Sequence, residues 1–174
     1  LWNMIVVEYS IREIIATIPA IQINKTLLSK AKFHWGDEKE LNRYIQLKKA
    51  DSYPLIWLLP SSDDYNDVGS SQSVNKDCSF VIATRETRKE LFNDQRYIKT
   101  FDLVLNPLTD YLIQGLTKSN ITDRVGTEFE IFKHPNYSAE SEENGTIDIW
   151  DAIRLNINVK FKDNIDCLKT ITYE

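Results

Sequence analysis

Glycine is scarce in this chain: five in 174 residues, isolated at Gly36, Gly69, Gly115, Gly126 and Gly145. A phosphate cradle needs clustered glycines so that backbone amides can approach the ligand, and no nucleotide-binding loop is predicted. Histidine is scarcer still. His34 and His134 stand at no metal-binding spacing from the cysteines or carboxylates, so neither a zinc site nor any other metal or cofactor is expected. His34, between Phe33 and Trp35, reads as the rim of an aromatic cluster, and His134 precedes Pro135 at a strand end. Cys78 and Cys167 are too few for a secreted disulfide framework and are expected as free thiols. No Gly-x-Ser-x-Gly elbow occurs, and nothing beside either cysteine would depress its pKa, so no catalytic nucleophile is predicted.

Long apolar runs are missing too. None reaches the roughly 18 residues that span a bilayer, and no basic-then-apolar signal segment opens the chain. A soluble, unprocessed protein without a membrane partner is expected. Leu1 in place of Met is consistent with native residues preceding it. Asn24, Asn120, Asn136 and Asn144 open glycosylation sequons, which a chain this rich in Asn, Ser and Thr supplies by chance.

Positive charge is in the minority, with 21 Lys and Arg against 26 Asp and Glu and a net charge of -5. Nucleic-acid affinity comes mainly from cations that neutralise phosphates, so a broad duplex-binding face is not predicted. An acidic surface suits a weaker relation to DNA, lining a channel through which it slides without sticking. Hydrophobic residues at 42% and aromatics at 11% are near globular averages, and no repeat or linker divides residues 1–174. One domain is expected.

Val7, Ile11, Ile14, Ile15 and Ile18 recur at helical spacing, and Pro19 stops that helix. A second helix starts in the acids after Gly36 and ends near Asp51. Pro54–Pro60 brackets an apolar run that reads as a strand buried on both faces at the centre of the fold. Ser61 to Asp77 is nearly all polar and reads as an exposed, mobile loop joining two antiparallel strands, the second being Cys78–Thr84. Glu86 to Asn93 suggests a helical turn, and Tyr97–Leu105 suits either a strand or a helix entrance. Asn106-Pro107 reads as a helix start. Glu128–His134 and Ala152–Lys162 alternate with period two. In the latter, Ile153, Leu155, Ile157, Val159 and Phe161 face a core, while Arg154, Asn156 and Asn158 face water or a neighbouring subunit. The fold class that follows is α+β, a mainly antiparallel sheet flanked by helices with a long C-terminal β-hairpin and exposed loops at 61–77 and 137–146.

The enzymatic alternative is a metal-dependent nuclease using Glu128, Glu130 and Lys133, although Phe129 and Ile131 between them fit any half-exposed strand. Asp63, Asp64 and Asp67 lack the spacing and closing glutamate of a calcium loop and read as solvated. Trp57 belongs in the core. Trp2 and Trp150 are candidates for protein contacts, because aromatics outside a core usually mark interfaces.

The order helix, helix, buried strand, polar segment, strand, Asn-Pro helix and terminal hairpin resembles phage tail-terminator and neck ring proteins, including those of phages infecting Bacteroidetes. The residues that carry the resemblance are Pro54–Leu58, Leu105–Ile113 and Trp150–Leu155. It implies a virion structural subunit, not an enzyme, in a closed hexameric or dodecameric ring between portal and tail. Neighbours would be portal, neck or tail proteins, with DNA only as transient cargo. The interface candidates are then Trp2, Asp63, Asp64, Tyr65, Asn66, Tyr137, Glu142, Trp150, Arg154, Asn156 and Asn158. A cellular binding or adaptor protein is the alternative outside this family.

Overall fold

A computed structural model describes residues 6–47, 53–68, 71–86, 93–137, 149–162 and 170–173. The alternating C-terminal segment organises everything else. Strand β8 (Ile149–Lys162) pairs antiparallel with β6 (Ser71–Glu86) on one side and with β7 (Thr122–His134) on the other. Strand β6 also pairs antiparallel with β4 (Leu55–Leu59), and β4 pairs in parallel with β3 (Lys32–Trp35). The order is β3-β4-β6-β8-β7, with β5 (Asp63–Val68) folded back on the first half of β6 as the sixth strand. Gln22–Ile23 (β1) and Thr26–Leu27 (β2) form a separate two-stranded hairpin. The protein is α+β, as the pattern predicts.

Helix α1 (Val7–Thr17) buries the expected stripe of Val7, Ile11, Ile14 and Ile15 against one face of the sheet. There it meets Ile56, Leu58, Phe80 and Ile82 together with Ile153, Leu155, Ile157, Val159 and Phe161. Each such side chain contributes about 1.5–3 kcal/mol of transfer free energy. Helix α2 (Glu38–Leu47) packs on the opposite face, where Leu41 and Ile45 join Leu55, Trp57, Val81 and Ala83 in a second core. A reciprocal cap starts α2: the Glu40 amide donates to Asp37 Oδ1 (2.7 Å) and the Asp37 amide to Glu40 Oε2 (3.1 Å). The two cores lie on opposite faces, so part of the sheet is the middle of three layers.

Three expectations need correction. The polar stretch from Ser61 to Asp77 is largely a paired hairpin, registered from Asp63 opposite Lys76 to Val68 opposite Ser71. Its sequence looks unable to order itself, but ladder hydrogen bonds and two inward residues of β6, the fully buried Val74 and Lys76, anchor it. Burial opposes charge on Lys76, yet its hydrogen bond to Asp63 and the charges of Asp63 and Glu8 (3.5 Å) outweigh that and raise its pKa. A raised folded value means the ion-pair stabilisation is complete below the ordinary 10.5 and disappears as pH climbs through the folded value. Lys76→Met is therefore expected to be less stable than wild type at pH 8. The gap between their urea midpoints should close in strongly alkaline buffer; a gap that stays constant would count against this pairing.

The second correction concerns β4. It is buried on both faces as expected, but it lies second from the edge, and β6 occupies the middle. Third, α4 begins at Asn106 with Pro107 in its first turn, as expected, but it does not start from a loop and Asn106 does not cap it. Helical structure runs unbroken from α3 (Asn93–Arg96) through a wide-turn π segment (Tyr97–Leu105) into α4 (Asn106–Lys118). In the wide winding the Asn106 amide reaches back to the Phe101 carbonyl, five residues away. Such widening relieves the clash that a proline ring makes with the carbonyl four residues earlier, which explains Pro107 inside a helix. The Asn106 amide of the side chain donates to Asp102 (3.0 Å) rather than capping.

Helices α1 and α4 touch through Gly115, where a Cβ would lie 3.0 Å from both Ile14 and the Tyr173 hydroxyl. Tyr173 packs edge-on against Tyr111, and its hydroxyl lies 2.6 Å from that of Thr17, so residues 170–173 close this seam. Buried Cys78 has its thiol pKa pushed up to about 12 by burial, which keeps it protonated and inert at neutral pH. Glu86 ends β6 and Asn93 begins α3, and the remainder of the turn suggested there is outside the described residues, as is Cys167. Among the described residues no helix is long and apolar enough to cross a membrane.

Candidate functional site

Beyond α2, the same sheet face that carries the second core turns polar. Along β8 this row begins with buried Trp150 and Ala152 and continues through Arg154, Asn156 and Asn158 toward solvent. These residues satisfy one another. Ser79 Oγ donates to Asn156 Oδ1 (2.7 Å) and accepts from Arg154 Nε (3.1 Å). Asn156 Nδ2 donates to Glu130 Oε2 (3.2 Å), and Asn158 Nδ2 donates to Asp77 Oδ1 (2.6 Å). They line an open concavity of about 620 Å³ between β6, β7 and β8. Lys160 extends the row to Asp123 (3.1 Å).

The shape of this concavity comes from β7. Its pairing with β8 slips between Val125 and Phe129, so that Gly126, Thr127 and Glu128 bulge where β8 supplies only Asn158. A Cβ on Gly126 would sit 3.2 Å from the Asn158 carbonyl, so the bulge packs against β8 backbone. After the bulge, Phe129 to His134 runs regularly along the sheet edge. Here Phe129, Ile131 and Phe132 are all exposed, at 43%, 42% and 47%. Phe129 and Ile131 lie toward α4, where Phe129 faces a hollow lined by Pro107, Asp110, Tyr111, Ile113 and Gln114.

Of the predicted interface residues, Arg154, Asn156 and Asn158 share this surface. Asp63, Asp64, Tyr65 and Asn66 lie on β5 at another end of the sheet; Asp63 is committed to Lys76, while Asp64 and Tyr65 are exposed. Trp150 is a core residue, not an interface one. It is 1% exposed because it packs into the second core with Leu41 and Ile45 of α2 and the residues of β4 and β6, and the Tyr137 ring lies against it at 4.9 Å between ring centres. Tyr137 is half-buried, while the rest of the 137–146 loop, Glu142 and Trp2 lie outside the described residues.

The nuclease triad does not assemble. Glu128 and Glu130 border the concavity, but Lys133 projects to the other face, over the rings of Tyr97 (5.5 Å) and Phe101 (5.9 Å). Among the described residues no group of three or more His, Cys, Asp or Glu is placed to hold a metal ion. His34 stacks on Tyr44 at 4.5 Å, and burial, then the charge of Lys32, lower its pKa.

One polar cluster escaped the sequence reading. Buried Asp151 accepts from Arg96 Nη1 (2.7 Å), Thr100 Oγ1 (2.7 Å) and the Asn136 amide (2.7 Å), which ties the long helix to β8 and to the end of β7. The available signal was parity: Asp151 occupies the same face as Ile153 and Leu155. No protein-family model matches the chain, and no curated protein does either.

Proposed function

We propose that this chain is a structural subunit of a ring in the neck or tail of a tailed bacteriophage, of the tail-terminator or head-tail connector type. The resemblance of the sequence suggests the class. The observation that carries the reading is β7, an edge strand exposed from Thr127 to Lys133 that displays Phe129, Ile131 and Phe132 to solvent. Exposed apolar edges invite pairing with another chain, and a ring of copies would cover them.

The concave polar face fits the wall of a channel. Its amides, Ser79 and Arg154 are already engaged with one another, so they offer few free groups to phosphates, and Asp77, Glu128 and Glu130 repel them. DNA would pass as cargo between portal and tail, and the finished protein would reside in the virion after synthesis in the host cytoplasm. The β5–β6 hairpin, with Asp64 and Tyr65 exposed, is the element to insert into an adjoining ring.

Sedimentation velocity and negative-stain microscopy of the purified protein test this. A closed ring of sixfold or twelvefold symmetry is the expected result; a monomer over the whole concentration range would sink the reading. Magnesium-dependent DNA cleavage that vanishes in Glu130→Ala would replace it with the nuclease.

A further inference from the structure

The sheet ends in two rims that no described strand covers, β3 on one side and β7 on the other. The Lys32 and Gly36 amides donate to Pro54 and Leu58 beside β4 (2.9 and 3.1 Å), so in this parallel ladder the backbone groups of Phe33 and Trp35 point outward. Side chains alternate across the rim. Phe33 and Trp35 lie on the α1 side of the sheet with Ile56 and Leu58, and Lys32 and His34 on the α2 side with Leu55 and Trp57.

Strand β7 carries the complement. Phe129 and Ile131 lie on the α1 side, opposite Ile157 and Leu155, and Glu130 lies on the α2 side, opposite Asn156. Along the stretch that would pair, β3 sets Phe33 and Trp35 against Lys32 and β7 sets Phe129 and Ile131 against Glu130, so Lys32 and Glu130 bring opposite charges to the same face; beyond it, Phe132 lies on the α2 side opposite Arg154 and Lys133 on the α1 side opposite Ile153. Trp35 is 42% exposed, matching Phe129 and Ile131. Strand directions also agree: β3 follows β4, and three antiparallel steps through β6 and β8 leave β7 running opposite to β3. A rotation carrying one copy onto the next can therefore bring β3 against a neighbouring β7 as an antiparallel pair without turning the sheet over.

We propose that β3 of each copy pairs with β7 of the next, with Lys32 opposite Glu130 and Phe33 opposite Phe129, so that one sheet continues from subunit to subunit. This rests on the ring reading above and names the surfaces that meet. The same register sets Ala31 opposite Ile131 and leaves Trp35 diagonal to Phe129, within aromatic reach. A slip of one residue would bring Lys32 onto the apolar face, so alternation protects the register. Two different patches meet, which is the geometry that propagates and closes into a ring; pairing β7 with a second β7 would stop at a dimer.

Charge exchange tests the pairing, because Lys32 and Glu130 are both exposed and lie outside either core. Glu130→Lys and Lys32→Glu, each alone, should raise the half-assembly concentration by more than about a hundredfold, since facing like charges cost several kcal/mol. Circular dichroism should show both variants folded. Both changes in one chain should restore assembly, and so should an equimolar mixture of the two single variants, now as alternating rings with an even number of copies. If the wild type forms rings and Glu130→Lys forms them equally well, the edge pairing is wrong and the ring reading survives. Dispersal by the single variants without recovery in either the double variant or the mixture also overturns the pairing. A wild type that never assembles overturns both.

Discussion

Asp151→Ala is expected to lower folding stability by about 3–5 kcal/mol, the range for removing one partner of a buried ion pair. Asp151 is fully buried and Arg96 is 4% exposed, so the guanidinium left behind would lose its carboxylate where water barely reaches. The Asn136 amide would lose its Asp151 acceptor in the same step, while Thr100 Oγ1 keeps the Arg96 carbonyl (2.6 Å). For a chain of this size the change corresponds to a fall in melting temperature of roughly 6–20 °C. Adding Arg96→Met to Asp151→Ala should recover part of the loss, because the stranded charge goes too. Urea unfolding of the three variants measures this. A loss below about 1 kcal/mol in the single variant would mean that the cluster is solvated and does not hold the helix to the sheet.

Trp150→Ala should cost a similar amount, about 3–5 kcal/mol, through the cavity it leaves between α2 and β8. This variant also separates a core role from an interface role. A core tryptophan destabilises the isolated subunit, whereas an interfacial one would leave the subunit intact and abolish only assembly. Trp150→Phe is informative in the opposite direction. The indole Nε1 is buried with no hydrogen-bond partner among the described residues, so removing it offsets part of the lost volume. Chemical unfolding of both variants beside their assembly state gives the answer; unchanged stability in Trp150→Ala would return the residue to the interface.

Much of the architecture was legible because hydrophobic period follows directly from backbone geometry. The stripe of α1 and the alternation of Ile153 to Phe161 each specify one buried face, and each is found there. What periodicity does not encode is which strand becomes an edge. Phe129 and Ile131 look like one face of a half-buried strand, and only the placement of β7 outside β8 makes them exposed. Trp150 was misjudged for the converse reason: its neighbours Tyr53, Leu55 and Leu41 come from distant segments. The hairpin at Asp63–Val68 was hidden by composition, since polar side chains say little about ladder hydrogen bonds that tertiary pairing supplies. Arg154, Asn156 and Asn158 were correctly read as one row, because position on a strand fixes the face even where it does not fix the partner.

The wide-turn segment between Tyr97 and Leu105 has its own consequence. Residues of an α-helix advance about 100° each, so ordinary winding would fix how Arg96 is oriented relative to the stripe of Leu108, Leu112 and Leu116. Slower winding over this stretch changes that angle, letting Arg96 and Thr100 aim at Asp151 while the stripe still meets the sheet. The segment acts as a phase adjuster in one continuous rod. Rewound as ordinary α-helix at its full length, this stretch would swing the guanidinium away from its carboxylate, although every apolar contact of α4 stayed in place.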